Sequence, residues 1–583
     1  MKQFFIYVLA TIAGIWITIL ISILGSFLML IMMIAAGSGS SSPEISKHSI
    51  LHINLDGSIE ERAQGKSLID ELQGIQNNSI PLNDLIKSIR HAATDSKIDG
   101  IYLECNGGSA GTATLAYVAE ELAKFKESGK WIVAYGDAYS QGNYYLASVA
   151  DSLWLNPIGN IDIHGLGGST PYFKGLLDKL GVEAQVIKVG TYKSAVEPYI
   201  MTGPSEANIQ QIKAYINPIW DYIKDGIATG RNVDSETVNQ WADSIIATQN
   251  PATFASRNVV SSLLYRHEAE DWMKTATETD SDESLNLVSP TTYAASIKDK
   301  KSDNKIAVLY AVGDIVDTGN SGIVGAKMAP MILDLAEDDD IDALVLRVNS
   351  GGGSAFASEQ IWEALEQFKA KGKPFYVSMG DVAASGGYYI SCGADKIYCQ
   401  PVTLTGSIGI FGIIPCVKGL LTDKLGVNVS TISTNPNANL SLAEPMTEIQ
   451  RAAMQRQIDR GYETFVGRCA EGRNLSVDSI KAIAEGRVWD GMAAKRIGLV
   501  DELGTLNDCI EALALEQGYD KYQIVEYPDP KGEWWEEILM ASGNVKESIL
   551  NEELGEARQL YNAIKKATQL ERIQCRMEPI VIE

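Results

Sequence analysis

Cysteine and histidine are scarce in this chain, and neither is spaced for a metal site or a disulfide framework. The 583 residues include seven cysteines, an odd number, and none of them forms a CxxC pair. The five histidines all lie in the first half, and none occurs in a recognisable catalytic context: His48, His52, His91, His164 and His267. A phosphate-binding loop is also missing from the sequence, so no metal or cofactor is expected.

Basic residues are also few relative to acidic ones. Lysine and arginine total 49 against 74 acidic residues, which gives a net charge of -25. This balance argues against nucleic-acid binding and against charge-driven binding to an anionic membrane surface. The simplest interpretation is a soluble, self-repelling surface. The apolar content of 45% is normal for globular protein, and the length predicts two to four domains.

One long apolar run stands out at the N-terminus, where residues 4–36 contain no charge. A bilayer-spanning helix needs about 20 such residues, whereas the apolar core of a cleaved signal peptide has about 7–15. We therefore expect a retained anchor over residues 1–36, followed by a Gly/Ser-rich linker over residues 37–48. Lys2 precedes the run, which places the N-terminus in the cytoplasm and the bulk of the chain outside it.

The rest of the chain contains an internal duplication. Residues 98–106 resemble residues 341–349, Phe125 aligns with Phe368, and Gly136 aligns with Gly380, so the offset is 243 to 244 residues. Strand patterns alternate with helix patterns in both copies, which predicts an α/β fold. The expected domains are residues 49–298 and 305–520, and residues 521–583, rich in Glu and Lys, are expected to form a helical tail.

The two copies keep different chemical groups. Ser385 follows an apolar run and lies in a turn of small residues before a predicted helix, whereas Gln141 stands at the aligned position. Lys193 lies in residues 189–198, whose counterpart near residues 435–445 has no lysine. Taken alone, Ser385 could be an ordinary turn serine and Lys193 an ordinary surface lysine. Lys188 is a second candidate for the base. Together, the complementary losses predict one site built across both copies.

A serine hydroxyl is a weak nucleophile and needs a base, and a desolvated lysine can act as one. Acyl transfer also needs N–H donors for the developing oxyanion, which the glycine run 351–353 could supply, although a flexible turn explains the same glycines. Ser407 either orients the lysine amine or satisfies a turn, and the sequence leaves both roles open.

These motifs together resemble peptidase family S49, the signal peptide peptidase A family, in its long duplicated form. The matching stretches are residues 190–198, 347–350, 384–389, 405–409 and 486–501. The resemblance implies a serine endopeptidase with a Ser385–Lys193 dyad and with Ser407 orienting the lysine. It also implies an oxyanion hole at Gly352, to which we add Gly386. The family usually has proline where this chain has Gly351.

The resemblance further implies two tandem crotonase-like (ClpP/crotonase) domains that assemble as a homotetramer. It implies peptide substrates, namely signal peptides left in the membrane after cleavage. The expected location is the bacterial inner membrane, with a single span and the catalytic domain on the periplasmic side.

Two other functions remain open from the sequence. A crotonase-type enzyme acting on acyl-CoA thioesters would share the fold class, but the duplication, the anchor and the acidic charge count against it. A non-catalytic membrane scaffold would fit the first copy, but the presence of both Ser385 and Lys193 counts against it for the whole chain.

Overall fold

The computed structural model describes residues 43–63, 79–298, 301–529 and 573–577, with scattered positions between residues 7 and 25. The expected anchor over residues 4–36 therefore lies largely outside the described residues. Within the part that is described, no helix combines the length and the apolar character needed to cross a bilayer. Residues 530–572 of the expected helical tail also lie outside the described residues.

Strands alternate with helices through both repeats. The strands are β1 Ser49–Leu55, β2 Ile59–Glu60, β3 Ile80–Pro81, β4 Ile98–Cys105, β5 Trp131–Tyr139, β6 Ser152–Ile161, β7 Glu183–Lys188, β8 Ser262–Leu263, β9 Asn286–Val288, β10 Lys305–Val312, β11 Ile315–Val316, β12 Ile323–Val324, β13 Ala343–Ser350, β14 Gly352–Ser354, β15 Phe375–Ala384, β16 Lys396–Cys399, β17 Leu404–Gly406, β18 Phe411–Cys416, β19 Val488–Asp490, β20 Glu502–Leu503, β21 Gln523–Tyr527 and β22 Ile573–Arg576.

The helices include two long ones, one in each repeat, and the first of them begins soon after Lys193. They are α1 Leu82–Ala92, α2 Thr112–Lys126, α3 Gln141–Ala147, α4 Lys174–Leu180, α5 Glu197–Ile200, α6 Glu206–Arg231, α7 Ser235–Asp243, α8 Arg266–Ala276, α9 Pro290–Ser296, α10 Gly325–Glu337, α11 Ala355–Ala370, α12 Gly386–Tyr389, α13 Glu448–Gly472, α14 Val477–Ile483, α15 Gly491–Arg496 and α16 Leu506–Glu516.

Each repeat builds one mainly parallel sheet. The first has the order β8-β6-β5-β4-β1-β9, and the main path of the second is β19-β17-β15-β13-β10-β21, with only β19 antiparallel. Strands such as β4 and β13 are buried along nearly their whole length. Continuous apolar strands of this kind are typical of parallel sheets that are covered on both faces.

A third sheet joins the two repeats and the C-terminal segment. Its order is β12-β11-β14-β22-β18-β7, so the first repeat supplies β7 and the C-terminal segment supplies β22. β18 pairs antiparallel with β7 over six residues, from Phe411 opposite Lys188 to Cys416 opposite Glu183. This sheet brings the end of β7, and the loop that follows it, to the second repeat.

The two repeats also share a packed interface. The largest apolar cluster is built on the first sheet, but it includes Ala384, Leu404 and Val488 from the second repeat. Ala384 directly precedes Ser385, so this interface lies next to the predicted nucleophile.

The C-terminal segment differs from the expected helical tail wherever it is described. Residues 523–527 form β21, which pairs in parallel with β10, and residues 573–576 form β22. The Glu- and Lys-rich composition between these strands favoured helix, but the two short segments at its ends add strands to sheets built by the repeats.

Candidate active site

The structure brings the predicted nucleophile and the predicted base into contact. Ser385 follows β15 of the second repeat, Lys193 follows β7 of the first, and Lys193 Nζ lies 2.8 Å from Ser385 Oγ. Ser385 has φ 55° and ψ −112°, a conformation that is costly for a residue with a side chain. Strain of this kind concentrates at functional sites. Its N–H donates to Gly406 O at 2.8 Å, which helps to hold the turn.

The amine of Lys193 is completely enclosed. The residue is 1% exposed, and Nζ also lies 2.9 Å from Ser407 O and 3.0 Å from Ser407 Oγ. Burial lowers the pKa of this amine from 10.5 to about 7. When the amine is neutral, it can donate two N–H bonds to Ser407 and accept the hydroxyl proton of Ser385. This is the hydrogen-bonding state that a general base requires.

Ser407, whose role the sequence left open, contacts the lysine through two atoms. It has φ 50° and follows Gly406 at φ 78°, and its own N–H donates to Arg487 O at 2.7 Å. The backbone turn and the lysine contact therefore coexist. The turn aims both the carbonyl and the hydroxyl of Ser407 at Nζ.

The second repeat holds the loop that carries Lys193. Tyr192 N–H donates to Glu485 O at 3.0 Å, and Gly486 lies so close that a methyl group on it would be 2.7 Å from Lys193 N. Gln211 of α6 links the two sides, since its amide nitrogen donates to Tyr192 O and its oxygen accepts from Val488 N–H. Sequence reasoning missed Gln211, because nothing in its local pattern marks a buried amide.

The two predicted oxyanion glycines face the same small space beside Ser385. Gly352 has φ 99°, and a methyl group on it would lie 2.7 Å from Gly386 N and 2.1 Å from Cys575 O. The N–H of Gly352 lies 3.1 Å from Ser350 Oγ, which accepts its hydrogen bond. The close approach of three backbone segments therefore requires glycine at position 352.

Cys575 was not predicted at the site. It lies on β22 and is fully buried. Burial raises the pKa of this thiol to about 12, although Lys193 and Ser385 oppose the rise. All seven cysteines are free and buried.

An ionic network that sequence reasoning also missed lies under the nucleophile strand. Arg347 of β13 is buried, with Nε 2.9 Å from Glu61 Oε2 of the first repeat, and it donates to Met379 O at 2.9 Å. Asp381 accepts from the N–H and the hydroxyl of Thr114 at 2.9 and 2.7 Å. Asp381 therefore connects β15 directly to the first repeat, and Glu61 connects it indirectly, through Arg347 of β13.

The matching position in the first repeat contains no nucleophile. Gln141 is buried and uses its amide to accept from the N–H groups of His164 and Gly165 and to donate to Gly165 O. Lys188, the competing base, directs Nζ to Lys193 O at 3.5 Å. Among the described residues, no group of His, Cys, Asp and Glu is arranged to hold a metal ion.

The two repeats match a known peptidase family separately. The model of peptidase family S49 matches residues 124–279 and again residues 367–520. The chain belongs to peptidase family S49. The two matches begin 243 residues apart, which confirms the predicted duplication and its offset. Membership makes this chain a serine peptidase, and it decides against the acyl-CoA enzyme and the scaffold.

Curated relatives extend the similarity over most of the chain. It is 35% identical to Protease 4 of Haemophilus influenzae over 88% of this chain and 86% of the relative. It is also 35% identical to Protease 4 of Salmonella typhi over 91% and 85%. The chloroplastic serine protease SPPA of Arabidopsis thaliana is 27% identical over 92% and 79%. Among solved structures, a mutant of ClpP1 from Listeria monocytogenes is 18% identical, covers 35% of this chain and 94% of its own, and has a TM-score of 0.24.

Proposed function

We propose that this chain is a membrane-anchored S49 endopeptidase that uses a Ser385–Lys193 dyad to degrade signal peptides and other apolar peptides. One observation carries the dyad: a buried amine with a lowered pKa lies 2.8 Å from a strained serine hydroxyl. The names of relatives, such as the putative signal peptide peptidase SppA of Enterococcus faecium, support the substrate class.

The chemistry begins with proton transfer. Neutral Lys193 accepts the proton of the Ser385 hydroxyl while Oγ attacks the substrate carbonyl carbon. The N–H groups of Gly352 and Gly386 stabilise the oxyanion, for which the Gly352 N–H must exchange its contact with Ser350 Oγ. The lysine ammonium then protonates the leaving amine, and a water molecule hydrolyses the acyl-enzyme with the lysine again as base. The hydrogen bonds from Nζ to Ser407 keep the amine directed at Ser385 Oγ through both steps.

The substrate binds as an added strand between β14 and β18. In this structure β22 pairs with both strands, so the substrate takes the place of β22 and pairs with their backbone N–H and C=O groups. Main-chain pairing does not depend on side-chain identity, which suits an enzyme for many apolar sequences. A folded protein cannot supply an extended segment of this kind without unfolding locally.

We further propose that residues 4–36 anchor the chain in the bacterial inner membrane with both repeats on the periplasmic side. The uncharged run and the position of Lys2 support this topology. The resemblance supports a homotetramer of crotonase-like domains. Membrane fractionation tests the anchor, and recovery of the enzyme in the cytosol would contradict it. Protease accessibility in spheroplasts tests the periplasmic location of the repeats. The native mass of the solubilised enzyme tests the homotetramer.

The dyad is tested by hydrolysis of a fluorogenic apolar peptide. Ser385→Ala and Lys193→Ala are each expected to lower kcat by at least about 10³-fold, because each removes a reacting group. Lys188→Ala is the matched control: it removes a lysine five residues away and is expected to retain most of the activity. Substantial activity in the Lys193 variant, or equal losses in both lysine variants, would contradict the assignment.

A further inference from the structure

A buried glutamate follows the lysine of the dyad closely in the chain. Glu197 is the first residue of α5, four positions after Lys193, and it is 2% exposed. Within the described residues its hydrogen-bond partners are all neutral, namely the N–H and the hydroxyl of Ser205 and the side-chain amide of Asn208. A carboxylate that is buried without a basic partner is costly, and an apolar side chain of the same size would avoid that cost.

This carboxylate fastens the start of a long helix. α6 begins after Ser205, whose side chain accepts the N–H of Asn208 at 3.1 Å as the N-cap. Glu197 Oε2 accepts from Ser205 N–H at 3.0 Å and from Asn208 Nδ2 at 3.3 Å, and Oε1 accepts from the Ser205 hydroxyl at 2.6 Å. The negative charge also lies at the positive end of the helix dipole. Glu197 therefore fixes the first turn of α6 relative to the segment that carries Lys193.

The first turns of α6 in turn hold the residues on both sides of Lys193. Asn208 Oδ1 lies 2.9 Å from Gln211 Nε2, and the same nitrogen lies 3.0 Å from Tyr192 O and 3.1 Å from Ser194 Oγ. Asn208, Gln211 and Ser194 are all buried, where hydrogen bonds are stronger than in water. A continuous hydrogen-bonded path therefore runs from the carboxylate to the backbone that carries the lysine.

The space between this loop and α6 is small. A cavity of about 10 Å³ lies there, with Lys193, Asn208, Gln211 and Ser407 among its lining residues. This volume is close to the minimum that holds one water molecule. A shift of α6 away from the loop would enlarge the cavity and lengthen the 2.8 Å contact between Lys193 Nζ and Ser385 Oγ. The place of the amine thus depends on the place of the helix.

We propose that Glu197 is a positioning residue for peptide hydrolysis. Its carboxylate holds the first turn of α6, and this turn sets the place of Lys193 against Ser385. The inference rests on the proposed dyad, because it gives Glu197 no contact with the substrate and no proton to transfer. An ionised carboxylate suits this role, since it only accepts hydrogen bonds and its charge strengthens each of them.

Steady-state hydrolysis of the fluorogenic apolar peptide by the full-length enzyme tests this role. Glu197→Met fills a similar volume but accepts from none of the three donors, so it is expected to lower kcat by roughly 10- to 100-fold with KM within about twofold. Glu121→Met is the matched control, because Glu121 is also 2% exposed, belongs to the same repeat and accepts from Lys124 Nζ at 3.2 Å within α2. The control is expected to lose stability in thermal melts and to keep its kcat.

Glu197→Gln keeps the test decisive if the methionine variant does not fold. Its amide has the shape of the native side chain but only one acceptor oxygen and no charge, so its kcat is expected to lie between those of the wild type and Glu197→Met. Wild-type kcat in the folded glutamine variant, a rise in KM without a loss of kcat, or equal kcat in the two methionine variants overturns the positioning role.

Lys193→Ala, measured in the same assay, separates these results from a failure of the dyad. Activity retained in Lys193→Ala overturns the dyad and the positioning role with it. Activity lost in Lys193→Ala but unchanged in the folded Glu197 variants overturns the positioning role alone.

Discussion

At the scale of single residues, the burial of Lys193 decides the chemistry. Its amine has to lose a proton before it can act as a base, and burial lowers its pKa to about 7. We expect kcat/KM for the fluorogenic peptide to rise with pH as Lys193 deprotonates, through a midpoint near 7, and then to level off. A profile that rises only near 10, the ordinary range for lysine, would show that the amine is not desolvated in the working enzyme.

The same burial affects stability. Between pH 7 and 10.5, Lys193 is largely neutral in the folded state and protonated in the unfolded chain, so the unfolded state binds more protons and stability increases with pH. Lys193→Met removes this titration. The unfolding free energy of the wild type relative to Lys193→Met should therefore rise by roughly 1.4 kcal/mol per pH unit across this window. Equal pH dependence of the two proteins in chemical denaturation would contradict the lowered pKa.

Neighbouring glycines provide a matched pair at the oxyanion hole. Gly352→Ala would place a methyl group 2.7 Å from Gly386 N at a φ of 99°, so we expect a loss in kcat of roughly 10²-fold or more. Gly351→Ala meets no atom within 4 Å and should keep near-normal kcat. Circular dichroism and the melting temperature check that both variants fold. Similar kcat values for the two variants would remove Gly352 from the hole.

At the scale of secondary-structure elements, Asp381 couples a helix of one repeat to the nucleophile strand of the other. It takes the place of an N-cap for α2, whose own N-cap residue, Gly111, has no side chain. The pairing of β15 with β13 shifts register after Val348, so the segment before Ser385 is irregular. The contact between Asp381 and Thr114 helps to fix the position of this segment. Asp381 is therefore a positioning residue.

Replacing Asp381 by alanine should lower both stability and turnover. Loss of a cap costs about 1 kcal/mol, and a shift of Ser385 should lower kcat by roughly 10- to 100-fold with little change in KM. Asp234→Ala is the control, because Asp234 caps α7 through Thr237 N–H at 2.7 Å, away from the site. It should lose similar stability in thermal melts but keep its kcat. Equal kcat in both variants would mean that Asp381 acts only on stability.

The elements differ in how far the sequence could predict them. Alternating strand and helix patterns marked the two repeats, because long buried strands have a strong apolar signal. β22 was missed because four residues, Ile573-Gln574-Cys575-Arg576, carry no periodic signal, and because their partners, β14 and β18, lie more than 150 residues earlier. The Arg347–Glu61 contact is likewise invisible locally, since its two charges are 286 positions apart.

At the scale of the whole molecule, the duplication made the site predictable. Two copies that had lost different groups, with Gln141 in place of a serine in one and no lysine in the other, indicated a shared site. The pairing of β7 with β18 brings the two groups together, because it places the loop that carries Lys193 against the second repeat. What comparison of the copies could not show is the support around the dyad, such as the contacts of Gln211 across the two repeats and Cys575, which lies outside both copies.

Because Lys193 and Ser385 meet within one chain at 2.8 Å, each chain should hold a complete site even in an oligomer. Mixing Lys193→Ala with Ser385→Ala chains, by co-expression and purification with two different tags, should therefore restore no activity. Each mixed oligomer would contain only sites that lack one reacting group. Wild type co-expressed with Ser385→Ala is the control, and its activity should follow the fraction of wild-type chains. Recovered activity in the double-variant mixture would require a lysine and a serine from different chains, and the connection through β7 would then exchange between subunits.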